Sequence, residues 1–257
     1  MTADLLISRD GAILEIGFNR PAKKNALTEA MYKAIADSLE QASDDPDIRV
    51  VLFYGEGGIF TSGNDLNDFA QVATGQRRAE DMEVMRVLHI LAGFQKPVIA
   101  AVEGLAVGIG LTLLLHCDLA YVAQDARLTA PFVDLALVPE AASSLLMPAL
   151  IGHQKAFALF ALGEALSGED AARLGLANAA LPAGDVLAQA RLSAQTLAKK
   201  APGALATTKA LMRDSATIRA RMDKEGLEFA RRLVSPEARE AFMAFAQKRA
   251  PDFSNLA

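Results

Sequence analysis

The 257-residue chain has one cysteine, Cys117, too few for a disulfide framework or a cysteine-rich zinc site, so a reducing, cytoplasmic setting is expected. Its three histidines, His89, His116 and His153, have no partners at ligand spacing. No metal site is expected, and each reads as a surface or hydrogen-bonded core histidine. HExxH, GxxxxGKS/T and GxGxxG are all missing, and no GxSxG elbow surrounds a serine. Nucleotide binding through the usual glycine-rich phosphate loops is therefore excluded. A net charge of −5 supplies no basic face to replace the counterions of a nucleic acid. The start "MTADLLISRD" has no basic stretch leading into an apolar one, and the end "SNLA" is not a peroxisomal address. Long apolar runs are lacking as well. Val98 to Ala123 is mostly apolar, but Glu103, His116 and Asp118 leave a clean run of only 12 residues, too short to span a membrane.

What is present is apolar and alternating. Hydrophobic residues make up 52% of the chain, enough for a substantial core. "AILEIGF" (Ala12 to Phe18) and "VVLFYG" (Val50 to Gly55) read as strands, and "TEAMYKAIADSLEQA" (Thr28 to Ala42) as a helix behind a Thr N-cap, giving a β–β–α start. "VIAAVEG" (Val98 to Gly104) and "LAYVA" (Leu119 to Ala123) are further strands, and "GLTLLLHC" (Gly110 to Cys117) a helix between them. Strands alternating with helices predict an α/β core with a largely parallel sheet. After Pro182 strand signals nearly vanish, and Pro202 and Pro236 mark helix starts. We place the core at residues 1–195 and a helical, oligomerisation region at 196–257. The apolar stripe of that region (Leu227, Phe229, Ala230, Leu233, Phe242, Phe245) is too long for an isolated arm.

Two glycine kinks carry the chemical interest. "FTSGNDL" (Phe60 to Leu66) and "EGLAVGIGLTLLL" (Glu103 to Leu115) each follow a strand and precede an apolar run. A strand that turns sharply into a helix leaves backbone N–H groups free at the helix N-terminus. Two such groups converging on one point would make an oxyanion hole. Glycine is also what any tight turn requires, so the kinks alone leave both readings open.

Those kinks, with "NRPAKKNALT" (Asn19 to Thr28) and "LVPEAASSLLMP" (Leu137 to Pro148), occur in the order that resembles the crotonase, or enoyl-CoA hydratase/isomerase, superfamily. The resemblance runs from about residue 5 to the C-terminus. It implies a spiral α/β core of ββα turns with a C-terminal helical region, assembled as homotrimers or homohexamers. It implies an acyl-CoA substrate, coenzyme A being part of that substrate and no further cofactor needed. The thioester oxygen would be held by the N–H groups of Asn64 and Ile109. Ser62, Gly63, Asn64, Asp65 and Leu66 would line the coenzyme path. Arg20, Lys23 and Lys24 stand where its phosphates could be met, Lys24 foremost, although a solvated loop charge is the other reading of each.

The resemblance also bears on the acid. Hydratases of the superfamily resemble one another in two glutamates, and those positions here are Thr112 and Phe132, neither of which can be a base. A third place, after the proline of "LVPEAAS", carries Glu140, and both that motif and "SGNDL" resemble Δ3,Δ2-enoyl-CoA isomerases. The implied reaction moves a 3-enoyl double bond to the conjugated position in fatty acid oxidation. Phe132, Leu135, Val138 and Leu145 are expected to surround Glu140 and raise its pKa. Thr112→Ala is expected to cost far less than Glu140→Gln. The other reading of Glu140 is a loop carboxylate or a charge at the start of a helix. Alternatives for the whole are another single-carboxylate crotonase (hydratase-like, dehalogenase or thioester hydrolase) and a non-catalytic acyl-CoA-binding scaffold. A dehalogenase would want an aspartate where Glu140 stands, and a scaffold would have no need of the acid.

Overall fold

The computed structural model describes residues 4–65, 68 and 82–254. Strand β1 (Leu5–Asp10) turns back on β2 (Ile13–Phe18) as an antiparallel pair. Helix α1 (Glu29–Asp44) then carries the chain to β3 (Val50–Gly55), which pairs parallel to β2. Thr28 caps α1 as expected, its hydroxyl accepting the Met31 N–H at 3.3 Å. After α2 (Glu83–Gly93) come β4 (Val98–Val102) and β5 (Leu105–Val107). A four-residue turn of helix, α3 (Ile109–Thr112), tightens into a 3-10 turn over Leu113–His116 and delivers β6 (Leu119–Ala123) and β7 (Arg127–Thr129).

Next come α4 (Ser143–Ile151), α5 (His153–Ala161), β8 (Leu166–Ser167), α6 (Gly168–Arg173) and β9 (Ala179–Leu181). The chain ends in α7 (Val186–Ala198), α8 (Pro202–Met212), α9 (Ser215–Leu233) and α10 (Pro236–Ala246). Pro202 and Pro236 open α8 and α10, where a missing N–H costs nothing.

The described residues form two sheets, one in the order β1-β2-β3-β4-β6-β9 and a small one in the order β5-β7-β8. Successive strands alternate between them: β4 joins the large sheet, β5 the small one, β6 the large, β7 the small. This is the spiral expected of the crotonase fold. The inner strands are covered on both faces, so β2, β3 and β4 are buried almost throughout and read as continuous apolar runs. Glu15 is a buried exception in β2. Arg191 of α7 holds it with two bonds, at 2.8 and 2.7 Å, and so ties the helix to the sheet.

Three expectations are corrected. The β–β–α start is built with β1, a strand the sequence reading missed because only its Leu5 is buried and an edge strand shows little apolar pattern. The helix expected over Gly110 to Cys117 is the short α3 plus a 3-10 turn, whose greater rise carries the chain to β6 in few residues. The small sheet was not foreseen, since strands of three, three and two residues are too short to show periodicity.

The boundary placed at 195/196 falls inside α7, whose Val186, Ala190 and Ala194 are buried and which packs across β3, β4 and β6. Of the tail's apolar stripe, Leu233 is buried and Phe229 and Phe242 pack on the core, while Leu227 and Phe245 are exposed. Among the described residues, no helix is long and apolar enough to cross a membrane.

Candidate active site

The two glycine kinks lie side by side. Gly63 (φ 94°) and Gly108 (φ 57°) occupy backbone conformations that other residues avoid. A Cβ on Gly63 would sit 2.8 Å from the Val107 carbonyl oxygen, and one on Gly110 would sit 2.6 Å from Thr61 Cγ2. The small residues are thus required for the close approach of one turn to the other. Hydrogen bonds lace them: Thr61 N–H donates to Leu105 O (2.9 Å) and Val107 N–H to Thr61 O (3.1 Å). The first kink is fixed from its other side by Ser62 N–H to Lys24 O (2.9 Å), Leu27 N–H to Gly63 O (2.9 Å) and Asp65 N–H to Leu27 O (2.8 Å).

The N–H groups next to Asn64 are used, Asp65 N–H as above and Gly63 N–H on Thr61 Oγ1 at 3.0 Å, and so is that of Gly108 before Ile109, on Thr129 O at 2.8 Å. Among the described residues, neither the Asn64 nor the Ile109 N–H has a backbone acceptor of its own. Ile109 is the first residue of α3, where an N–H has no partner within the helix. The Asn64 side chain is held in turn, its Oδ1 accepting the hydroxyl of the buried Tyr32 from α1.

Glu140 stands at a turn of unusual backbone. Ala141 (φ 62°) and Ala142 (φ 55°) are both left-handed, and Ser143 N–H closes the turn onto Glu140 O at 3.0 Å. α4 begins at Ser143, so Glu140 lies before the helix and does not cap it. Thr112 Oγ1 donates to Glu140 Oε1 at 2.5 Å. The backbone donor at Ile109 and the side chain at Thr112 are three residues apart on α3, roughly 4.5 Å along its axis. The base candidate is therefore tied to the same helical turn that presents one of the free N–H groups.

The carboxyl of Glu140 is enclosed although the residue as a whole is only half-buried. Loss of solvation raises its pKa to about 7, the Thr112 hydrogen bond opposes that rise, and the charge of Glu225 adds to it. Burial pushes the Tyr32 hydroxyl well above its ordinary range, and the charge of Glu140 pushes it further. Of the residues expected around Glu140, Phe132 is buried against Phe160 (ring centroids 5.7 Å apart) and Leu135 is partly buried.

The other candidates named from the sequence fall differently. Arg20 is engaged, donating to Asp65 (3.0 Å) and to Ala26 O (2.7 Å), and is not a free cation for phosphate. Lys23 and Lys24 are exposed, and Lys24 is left-handed (φ 51°). Ser62 and Asp65 are half-buried and Gly63 is buried. Leu66, and most of the loop from Asp68 to Met85 expected to shape the acyl pocket, lie outside the described residues. His116 proves a hydrogen-bonded core histidine. Arg213 can only donate, at 2.8 Å, so Nδ1 accepts, and Nε2–H donates to Ala141 O at 2.8 Å. Burial and Arg213 push its pKa down to about 3, so the ring is neutral. Cys117 is inert, its thiol pushed up to about 12 by burial.

Sequence reasoning missed Thr112, Tyr32 and His116 as supports of the site. Only Thr112 left a signal, a hydroxyl at one of the two positions where the resemblance to hydratases would place a glutamate.

The spiral in which successive strands pass between a large and a small sheet is that of the crotonase superfamily. The family model described as enoyl-CoA hydratase/isomerase matches residues 8–255, and the chain belongs to that family, which acts on acyl-CoA substrates. It is 32% identical over 250 residues to enoyl-CoA delta isomerase 2 of Rattus norvegicus, covering 95% of this chain but 64% of that one. It is 31% identical over 257 residues to a probable enoyl-CoA hydratase of Bacillus subtilis (strain 168), covering 97% of each. The solved structure of Pseudomonas aeruginosa OdaA is 46% identical with a TM-score of 0.91, over 95% of this chain and 99% of that one. Isomerases and hydratases thus stand at nearly equal similarity.

Proposed function

We propose that the protein is a Δ3,Δ2-enoyl-CoA isomerase with Glu140 as its only base. The observation that carries this reading is the Glu140 carboxyl bonded to Thr112 at 2.5 Å on the turn that begins at Ile109, where loss of solvation raises its pKa to about 7. Thr112 and Phe132 fill the two places where a hydratase of this superfamily has its acids, so one carboxyl must serve. One is sufficient for isomerisation. The C2 proton of a 3-enoyl thioester is acidified by both the carbonyl and the double bond. Ionised Glu140 takes that proton, the C–H electron pair forms the C2=C3 bond, and the displaced π electrons spread to C4 and the thioester oxygen as a dienolate.

The N–H groups of Asn64 and Ile109 stabilise the charge on that oxygen. Protonated Glu140 then gives the proton to C4, leaving the conjugated 2-enoyl product and regenerating the carboxylate. A pKa near neutrality suits both halves, because the group must accept and release one proton with little driving force either way. On this reading coenzyme A is part of the substrate and no other cofactor takes part. Lys24, Ser62, Gly63, Asp65 and Leu66 would follow the coenzyme, and fatty acid oxidation is the setting.

Relatives named hydratases favour a second reading, in which Glu140 activates water. Incubation of 3-hexenoyl-CoA and 2-hexenoyl-CoA in oxygen-18 water separates the two. Rapid 2-enoyl formation with little labelled 3-hydroxyacyl-CoA is expected, and Glu140→Gln should lower turnover by about two to four orders of magnitude with acyl-CoA binding retained. Fast appearance of labelled 3-hydroxyacyl-CoA would make the protein a hydratase.

A further inference from the structure

The turn that carries Glu140 is held from the far end of the chain. α4 opens without a capping side chain of its own, because Ala142 stands at its N-cap. The acceptor comes from α9: Glu225 Oε1 receives the Ser144 N–H at 2.9 Å across 81 positions of sequence. Arg221, one turn earlier on α9, donates to Ser144 Oγ at 3.3 Å. The buried face of α9 otherwise runs Ile218, Met222 and Leu233, so position 225 is one where docking alone would place an apolar residue. Instead it carries a carboxyl that is only 6% exposed, with Oε2 buried and without a hydrogen-bond partner among the described residues. A buried carboxylate is costly, and the α4 N-terminus and Arg221 only partly offset that cost.

We propose that Glu225 is a positioning residue for the base: by capping α4 it fixes the left-handed Ala141–Ala142 turn from which Glu140 projects, and it sets a second negative charge beside Glu140. The inference rests on Glu140 being the base. The groups that bear on Glu140 come from three elements: Thr112 from α3, Tyr32 from α1 and Glu225 from α9, the last with Arg221 acting on Glu225 and Ser144. Neutral His116, backed by Arg213, holds Ala141 O and contributes no charge of its own. Of these, Glu225 is the one that both grips the segment and raises the base.

Two variants separate grip from charge. Glu225→Gln keeps an oxygen that can accept the Ser144 N–H but removes the charge, whereas Glu225→Leu removes both. With glutamate labelled at its side-chain carboxyl by carbon-13, and the Glu140 resonance assigned by its loss in Glu140→Gln, the Glu140 titration is read directly. In Glu225→Gln its midpoint should move to lower pH by roughly half a unit or more, since a like charge has gone. Turnover of 3-hexenoyl-CoA in Glu225→Leu should fall about 10- to 100-fold with KM little changed, and Glu225→Gln should recover most of that loss. An unmoved Glu140 midpoint in Glu225→Gln overturns the proposal, as does turnover within twofold of wild type in Glu225→Leu. If the wild-type protein shows no isomerase activity, the function proposed above fails on its own, and the Glu140 titration still decides the role of Glu225.

Discussion

Replacing Thr112 by valine removes one hydroxyl and keeps the shape of a fully buried side chain. The lost bond is the 2.5 Å donation to Glu140 Oε1. A hydrogen bond to a charged group contributes about 1.5–3 kcal/mol, and one pKa unit corresponds to 1.36 kcal/mol, so the bond holds the carboxyl down by about 1–2 units. Without it the ionised form is disfavoured and the pKa rises from about 7 to roughly 8–9.

The base must be ionised to take the C2 proton. At pH 7 its ionised fraction should fall from about one half to roughly 1–10%, and turnover should drop about 5- to 50-fold. Most of the loss should return above pH 9. The assay is the absorbance of conjugated 2-enoyl-CoA formed from the 3-enoyl thioester, followed as kcat against pH. An acid limb that stays in place, or a loss of equal size at every pH, would refute the reasoning. This magnitude agrees with the expectation that loss of the Thr112 side chain costs far less than Glu140→Gln, and adds a route for the loss, the shifted acid limb, that the sequence did not show.

Tyr32→Phe leaves Asn64 Oδ1 without its hydroxyl donor, and a loosened Asn64 should cost kcat about 5- to 30-fold with KM nearly unchanged, measured by the same absorbance assay. An unchanged kcat would separate the Asn64 side chain from the placement of its N–H. Light scattering should give a mass of three or six chains, with the exposed Leu227 and Phe245 of the tail covered between subunits; a monomer at micromolar concentration would refute that.

What could be read from the sequence followed the physics of each element. β3 and β4 were legible because strands covered on both faces are continuous apolar runs, and α1 because Thr28 caps it and its buried residues recur at helical spacing. The kinks were legible through their glycines. Glu140 was not legible from chemistry alone, since one carboxylate after a proline has no signature, and it came from resemblance to a family. The supports of the site were hidden for a different reason. Tyr32 reaches Asn64 across 32 positions, Arg213 reaches His116 across 97, and Glu225 reaches Ser144 across 81. No local pattern encodes such contacts. Only the folded chain shows that a tail helix with an apolar stripe also carries an acid into the interior.

The same burial that suits Glu140 to catalysis should weaken the fold at high pH. In the unfolded chain its carboxyl ionises near the ordinary value of 4.5, and in the folded protein near 7. Between those values the folded form keeps a proton that the unfolded form has lost, so raising the pH favours unfolding. Below 4.5 both forms are protonated and the group contributes nothing; above 7 the full cost applies, about 3 kcal/mol at 1.36 kcal/mol per unit. Glu140→Gln cannot ionise, and its amide oxygen can still accept the Thr112 hydroxyl. The variant should therefore match wild type in urea unfolding near pH 4.5 and exceed it by up to about 3 kcal/mol at pH 8, both at one fixed protein concentration. Titrating groups not coupled to Glu140 cancel in the difference between the two proteins, which leaves Glu140 together with its charged neighbour Glu225. A difference that is the same at both pH values would mean that Glu140 ionises alike in the folded and unfolded states, and with that the enclosed, neutral-pKa base on which the proposed isomerase depends would be lost.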